Sequence, residues 1–192
     1  MLAAKLGKCE TSVGARKCTI KELDYNEAKD FLTTNHLQGN VPSSTRIGLY
    51  FEDELIALGT FGKKRKALNQ KAKAGELYRF ASKLNTNVHG GFSKILSYFI
   101  TTYQPKEILT YASLDHSTGG LYTKTGFDLS SITNPGYSCV VDSIRKHRYN
   151  YTKQKLVSSG ADPNLTEREI MHSRGHYRIW DSGNLKFLMI LV

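Results

Sequence analysis

The chain has 192 residues, 40% hydrophobic and 23% charged, an ordinary globular composition sufficient for one domain or for one domain with an appendage. No run of about 18 apolar residues exists, which excludes a helical membrane span, and the opening MLAAKLGKCE holds no apolar stretch long enough for a signal peptide. Three cysteines without CxxC spacing argue against a disulfide framework or structural zinc site and make a reducing cytoplasm the default, while 27 Lys and Arg against 17 Asp and Glu leave a net charge of +10 that favours an anionic partner.

Residues 16–23, RKCTIKEL, alternate as a first strand, and DYNEAKDFLTTNH follows with Ala28, Phe31 and Leu32 at helical spacing. That helix runs out at NHLQG, residues 35–39. Gly39 suits a left-handed helix cap and His36 suits a helix C-terminus, so a capping reading competes with a site reading. RIGLYFEDELIALGTFG predicts a hairpin turning at Glu52, Asp53 and Glu54. The stretch 63–73, KKRKALNQKAK, has no apolar periodicity and reads as an exposed loop. ELYRFASKL reads as a strand, on which Glu76 and Arg79, three apart, are expected to face opposite sides.

GGFSKILSYFITTY predicts a helix opened by two glycines, with Ile95, Leu96, Phe99 and Ile100 on one side. EILTYAS reads as a buried strand, TGGLYTKTGF as a short helix breaking into a strand at Phe127, and GYSCVVDS as a further strand. Beyond residue 160, Thr166 and Glu169 predict a capping box on a short helix. YRIWDSGNLKFLMI is expected to form a hairpin turning at Ser182, Gly183 and Asn184, with Trp180 in its core.

The positive charge is clustered. Lys63, Lys64, Arg65, Lys66, Lys71 and Lys73 share one acid-free stretch, and Arg145, Lys146, Arg148, Lys153 and Lys155 share another, interleaved with Tyr149 and Tyr151. Phosphate backbones reward such patches through counterion release, and aromatic rings stack on bases, so DNA is the expected partner. The alternative is a pair of solvated surface stretches.

The piece LNTNVHGGFSKILSYF runs from a strand through a glycine-rich turn into a helix, an arrangement whose free N–H groups can hold a pyrophosphate. Here the chain resembles the GNAT acyltransferases. Their pyrophosphate motif falls on Asn87, Gly90 and Phe92, followed by Ser93 to Leu96, and their A-x-x-L-Y-x-K-x-G-F element resembles GGLYTKTGF with Tyr122, Gly126 and Phe127 in register. Two residues depart from the pattern: Asn87 stands where Gln or Arg is usual, and Phe92 where a small residue is usual. The resemblance spans residues 16–142. It implies a GNAT-like mixed central sheet flanked by helices, with a short basic helix and hairpin extension at the C-terminus. It further implies acetyl-CoA or another acyl or aminoacyl donor held by Asn87, Gly90, Gly91, Ser93 and Lys94, and Tyr122 as general acid, a core aromatic being the alternative reading of that tyrosine.

A narrower resemblance links NHLQG, GELYRF, VHGGFSKIL, TYASLDHSTGGLYTKTGF, PGYSCV and YRIWDSGN to the domain after the nuclease in Hef-like phage homing endonucleases. There the nuclease precedes a segment like GARKC, residues 14–18, so this chain is expected to lack the nuclease carboxylates. Similar elements occur in Mom-type phage proteins that modify adenine in DNA. They fall on His36, Gln38 and Gly39, on Glu76, Leu77 and Arg79, and on Tyr111, Asp115, His116, Gly120 and Tyr122.

These resemblances imply a phage-type protein of an infected bacterial cytoplasm that transfers a group to a nucleobase amine. The alternatives are a non-catalytic DNA-binding module and a conventional acetyl-CoA-dependent N-acetyltransferase. The expected catalytic set is His36, Arg79, Asp115 and Tyr122, with His36, Asp115 and His116 as alternative metal ligands. His36 could act as general base, Asp115 could instead cap the helix near 117–124, and Arg79 could anchor a carboxylate or position the loop at His36. The expected domain scheme is a lead-in over 1–15, the α/β domain over 16–142, and a basic extension over 143–192 packed on it.

Overall fold

The structure, a computed structural model, describes residues 6–63 and 74–191. Lys64, Arg65, Lys66, Lys71 and Lys73 of the first basic cluster lie outside the described residues, as does the side chain of Lys63. The chain divides into two compact units. The first comprises Met1–Tyr111, Gly120–Ser130 and Lys186–Val192; the second comprises Ala112–Gly119 and Ser131–Leu185. This differs from the expected division at 142/143. The last strand returns to the main sheet, so residues after 185 belong with the first unit.

The main sheet is built from β2 (Thr19–Glu22), β3 (Thr45–Phe51), β4 (Glu54–Lys63), β5 (Ala74–Ser82), β7 (Glu107–Ser113), β8 (Asp128–Ile132) and β12 (Asn184–Ile190). Its order is β2-β3-β4-β5-β7-β12-β8, antiparallel from β2 to β5 and parallel between β5 and β7. The mixed α/β sheet flanked by helices is therefore as expected. A parallel pair of short strands, β1 (Thr11–Gly14) with β6 (Thr86–His89), stands apart from it. Neither is legible in the sequence as a separate element.

Helix α1 (Tyr25–Asn35) starts where the Asp24 carboxylate accepts from the Asn26 and Glu27 N–H groups at 2.7 and 3.0 Å. Its apolar positions Ala28 and Leu32 are fully buried against Leu58 of β4 and Ala81 of β5. The β3–β4 turn uses Glu52 and Asp53, both at positive φ, the twist a tight hairpin requires. On the other face, helix α2 (Gly91–Tyr103) buries Phe92, Ile95, Leu96 and Phe99. Phe99 stacks on Phe61 of β4 with ring centroids 3.9 Å apart. The short helix α3 (Gly120–Lys124) precedes β8.

One irregularity decides which side chains meet. Phe61 pairs with Leu77, but the next residue back, Thr60, pairs with Arg79, so Tyr78 is an extra residue bulged from β5. Gly62 makes room for it, since a Cβ there would meet the Tyr78 ring at 2.4 Å. Glu76 pairs with Gly62 and Arg79 with Thr60. Positions 60 and 62 share a face of β4, so Glu76 and Arg79 share the α1 face of the sheet. The expected opposition of these two residues is overturned by the bulge, which resets the alternation.

In the second unit β9 (Tyr137–Val141) lies between β10 (Ile144–His147) and β11 (Tyr177–Trp180), both antiparallel to it. Helices α4 (Lys153–Ser158) and α5 (Glu167–Ser173) cover Cys139 and Val141 with Leu156, Ile170 and Met171. The Thr166–Glu169 capping box is formed as expected. The expected 177–190 hairpin is not: β11 pairs with β9, while β12 belongs to the seven-stranded sheet. Its turn is held by Asp181, whose Oδ1 accepts from the Gly136 and Gly183 N–H groups at 2.8 and 2.9 Å. Trp180, expected in a core, is 58% exposed.

Candidate active site

The parallel strands β5 and β7 pair from Ala74–Glu107 to Leu77–Thr110. The pairing stops there, at the residue before the Tyr78 bulge, and the sheet forks. Thr110 closes the fork, its hydroxyl donating to the Leu77 carbonyl at 3.2 Å. In an open α/β sheet, strand ends at such a crevice are where ligands bind.

Two expected residues meet on the α1 side. Helix α1 ends at Asn35, and His36, its extended C-cap, leads into a turn closed by the Gly39 N–H on the His36 carbonyl at 2.9 Å. Gly39 has φ +61 but closes this turn rather than capping the helix directly, which corrects the simple cap reading. Arg79 reaches over from β5 and donates from Nε to the Gly39 carbonyl at 3.2 Å, and from Nη1 to the Tyr78 carbonyl at 2.9 Å. It thus positions the His36 turn, one of the two roles expected of it.

His36 is half-buried. Burial and, secondarily, the Arg79 charge pull its pKa from 6.5 down to about 4. Its Nδ1 accepts from the Gln38 N–H at 3.1 Å, so the neutral ring carries its proton on Nε2. At neutral pH this imidazole is a hydrogen-bond donor of low basicity. That disfavours the general-base role read from the sequence.

His36 also lines a cavity of about 480 Å³ that reaches Phe80, Asn85 and Asn87. The His36 turn and the phosphate-turn strand, fifty residues apart, therefore share one concavity. Asn35 ties them: its amide nitrogen donates to the Phe31 carbonyl at 2.9 Å and its oxygen accepts from the Leu84 N–H at 2.8 Å. Nothing in the sequence assigns Asn35 this role, because its second partner lies far along the chain.

Tyr122 of α3 stands at the closed end of the fork. Burial holds its phenol above the usual value, while a hydrogen bond with Thr110 and the Arg79 charge act the other way. The hydroxyl therefore keeps its proton at neutral pH, as a general acid must. Its ring is fixed edge-on to Phe92 and Phe127, at 5.8 and 5.7 Å, and tilted on Phe187 at 5.3 Å. Phe92, 3% exposed, also packs edge-on to Phe80 at 5.0 Å. Its side chain points into this aromatic cluster, so a bulky residue in the phosphate turn costs no space at the helix end.

That end is open. Gly90 adopts φ 74, a left-handed conformation that favours glycine, and no side chain caps the helix there. The first helical bond runs from the Lys94 N–H to the Gly90 carbonyl at 3.0 Å, which leaves the N–H groups of Gly91, Phe92 and Ser93 without helical partners. Ala15, Arg16, His89 and Lys94 surround Gly90 in a concavity. Lys94 Nζ is already engaged, donating to the Ala15 and Cys18 carbonyls at 2.9 and 2.6 Å. It holds the 3-10 turn Ala15–Lys17 beside the helix and adds its charge there. Asn87 contacts His89, Nδ2 to Nε2, at 3.3 Å. The donor set of free N–H groups, a cap without a Cβ and nearby cations fits a pyrophosphate.

Asp115 and His116 belong to the second unit. The Asp115 carboxylate accepts from the Ser182 N–H at 3.0 Å, and the hydrogen bonds of Ser182 hold it below the usual carboxylate range. It braces the β11–β12 turn and does not cap α3, which starts at Gly120. Among the described residues, no group of three His, Cys, Asp or Glu could hold a metal ion. The second basic cluster is ordered rather than a loop. Arg145 and Lys146 lie on β10, Arg148 begins a 3-10 turn, and Lys153 begins α4. No described helix is long and apolar enough to cross a membrane.

No protein-family model matches the sequence, and no curated protein matches it. Solved structures do match the fold. An acetyltransferase from Bacillus subtilis in complex with CoA superposes with a TM-score of 0.54 at 14% identity, covering 92% of this chain and 100% of that one. The ribosomal-protein-S18-alanine N-acetyltransferase from Escherichia coli superposes at 0.54 with 10% identity, covering 90% and 93%. Ard1 from Thermoplasma volcanium does so at 0.54 with 10% identity, covering 92% and 99%. The fold is thus the GNAT acetyltransferase fold.

Proposed function

We propose that this chain is an acyltransferase that takes an acyl-CoA-type donor and delivers the acyl group to a nucleobase amine of DNA. The observation that carries the reading is the fork between β5 and β7, with the uncapped helix α2 and the protonated Tyr122 hydroxyl built around it. When bound, the donor supplies a thioester. The N–H groups of Gly91, Phe92 and Ser93 hold its pyrophosphate, with Lys94 and Arg16 adding positive potential. The amine nitrogen would bond the thioester carbon as the C–S bond breaks, Tyr122 would donate its proton to the departing thiolate, and the proton released by the nitrogen would pass to solvent, from which the phenolate regains its own.

The state of His36 favours a nucleobase over an alkyl amine. An alkyl amine is an ammonium at neutral pH and needs a base before it can attack. An exocyclic base amine is already neutral and needs orientation. His36 is a weak base with its proton on Nε2, which suits it to orienting an acceptor. It donates to an acceptor atom of the nucleobase ring while Arg79 fixes the turn that carries it. The target base must leave the duplex stack to present its amine. The resemblance to Mom-type proteins and the net charge of +10 support DNA as the acceptor.

Labelled acetyl-CoA supplied with single-stranded DNA, or with a peptide bearing a free amino terminus, separates the readings. Label entering DNA supports the proposal. Label entering only the peptide supports a conventional N-acetyltransferase. No transfer, with no calorimetric heat from CoA at millimolar concentration, would leave a DNA-binding module without chemistry.

A further inference from the structure

The second unit carries an aromatic and cationic surface that the acyl-transfer site does not use. β11 is an edge strand of the three-stranded sheet; its Tyr177 and Trp180, 59% and 58% exposed, alternate to its two faces and border one cavity at its edge. Tyr149, in the 3-10 turn after β10, is 58% exposed. Three large rings left in water on so small a unit call for a partner with flat faces of its own.

Tyr149 and Trp180 belong to a cluster of rings and guanidinium groups, while Tyr177 packs edge-on to His172 at 5.4 Å. The Arg178 guanidinium lies 4.2 Å from the Tyr137 ring centre and pairs with Glu167 at 3.1 Å. The Tyr137 ring in turn leans on Trp180 at 5.1 Å. Arg148 lies between Tyr137 and Tyr149, at 5.4 and 5.3 Å from their centres. Beside Trp180 a cavity of about 300 Å³ is lined by Arg168, His172, His176 and Tyr177 among others. The His176 Nδ1 is buried with no hydrogen-bond partner among the described residues. Flat rings beside fixed guanidinium groups match the chemistry of unpaired bases on a phosphate backbone.

We propose that this edge of the second unit, where Trp180, Tyr177 and Arg168 border one cavity, binds single-stranded DNA by stacking its bases. The proposal extends the DNA part of the functional reading and rests on it, but not on acyl transfer. Single strands fit because stacked rings need base faces that a duplex conceals.

The chain has one tryptophan, so its fluorescence reports on this edge alone. An oligo-dT of about ten to twenty nucleotides, a length spanning one single-strand site, is titrated into the full chain at low salt. The expected result is saturable quenching of Trp180, reversed by added salt. Arg168→Ala and Tyr177→Ala should each weaken the apparent affinity about tenfold with unchanged melting temperature. Binding seen by anisotropy of labelled oligo-dT without quenching would overturn the proposal, as would equal quenching by a duplex of the same length or by inorganic phosphate. Intact quenching in a chain that transfers no acyl group would defeat the enzymatic reading and leave this surface standing.

Discussion

Arg79 Nε donates to the Gly39 carbonyl across forty residues of sequence, and the same guanidinium helps depress the His36 imidazole to about 4. One side chain therefore holds the turn and adds its charge to the burial that lowers the pKa of the histidine it carries. The β5 bulge at Tyr78 makes this geometry available by turning Arg79 toward α1.

Replacing Arg79 by Met should release both effects. The His36 pKa should rise toward its ordinary value, read from the imidazole proton shifts on NMR titration. It should stay below 6.5, because burial is the larger cause and persists. An unchanged value near 4 would show that the Arg79 charge does not reach the ring.

His36 also predicts a pH dependence of stability. Its folded pKa is depressed, so above 6.5 both states are neutral and its contribution is fully present. As pH falls from 6.5 to about 4 the unfolded chain takes up a proton that the folded chain refuses, and stability drops by about 1–3 kcal/mol. Chemical denaturation of wild type and His36→Gln across that window should show the drop in wild type only.

Tyr122→Phe should keep the ring contacts with Phe92, Phe127 and Phe187 and so keep the fold. Turnover should fall by about 10²- to 10⁴-fold if the hydroxyl is the proton donor, with CoA affinity unchanged. Equal loss of affinity and turnover would point to a structural role.

Gly90→Ala forces a side chain into a φ of 74. The strain should cost about 1–2 kcal/mol, and disturbance of the helix end should weaken CoA binding in calorimetry. Asp115→Asn is the contrasting change. It touches the Ser182 turn of the second unit, so transfer activity should survive it. Loss of activity would restore Asp115 to the catalytic set.

Much of this arrangement is legible from residues with local chemistry. Ala28, Phe31 and Leu32 at helical spacing announce α1, Thr166 with Glu169 announces α5, and two glycines before an apolar helix announce the open end of α2. Positioning the loop at His36 is one of the two roles read for Arg79 from the sequence, and Arg79 does hold that turn. What escapes is set by pairing. The Tyr78 bulge has no composition of its own, yet it decides that Glu76 and Arg79 share a face. Ser182-Gly183-Asn184 has the residues of a hairpin turn, but β11 and β12 pair with different partners in different sheets. Apolar alternation around Trp180 marks a strand without saying which face is covered.

Transfer to a nucleobase leaves a permanent mark on cellular DNA. DNA from cells expressing the wild-type chain and the Tyr122→Phe variant is digested to nucleosides and weighed by mass spectrometry. The expected result is a nucleoside heavier by one acyl group, made by the wild type and nearly absent with the variant. Unmodified nucleosides from both, with the wild-type chain folded and binding CoA, would contradict it.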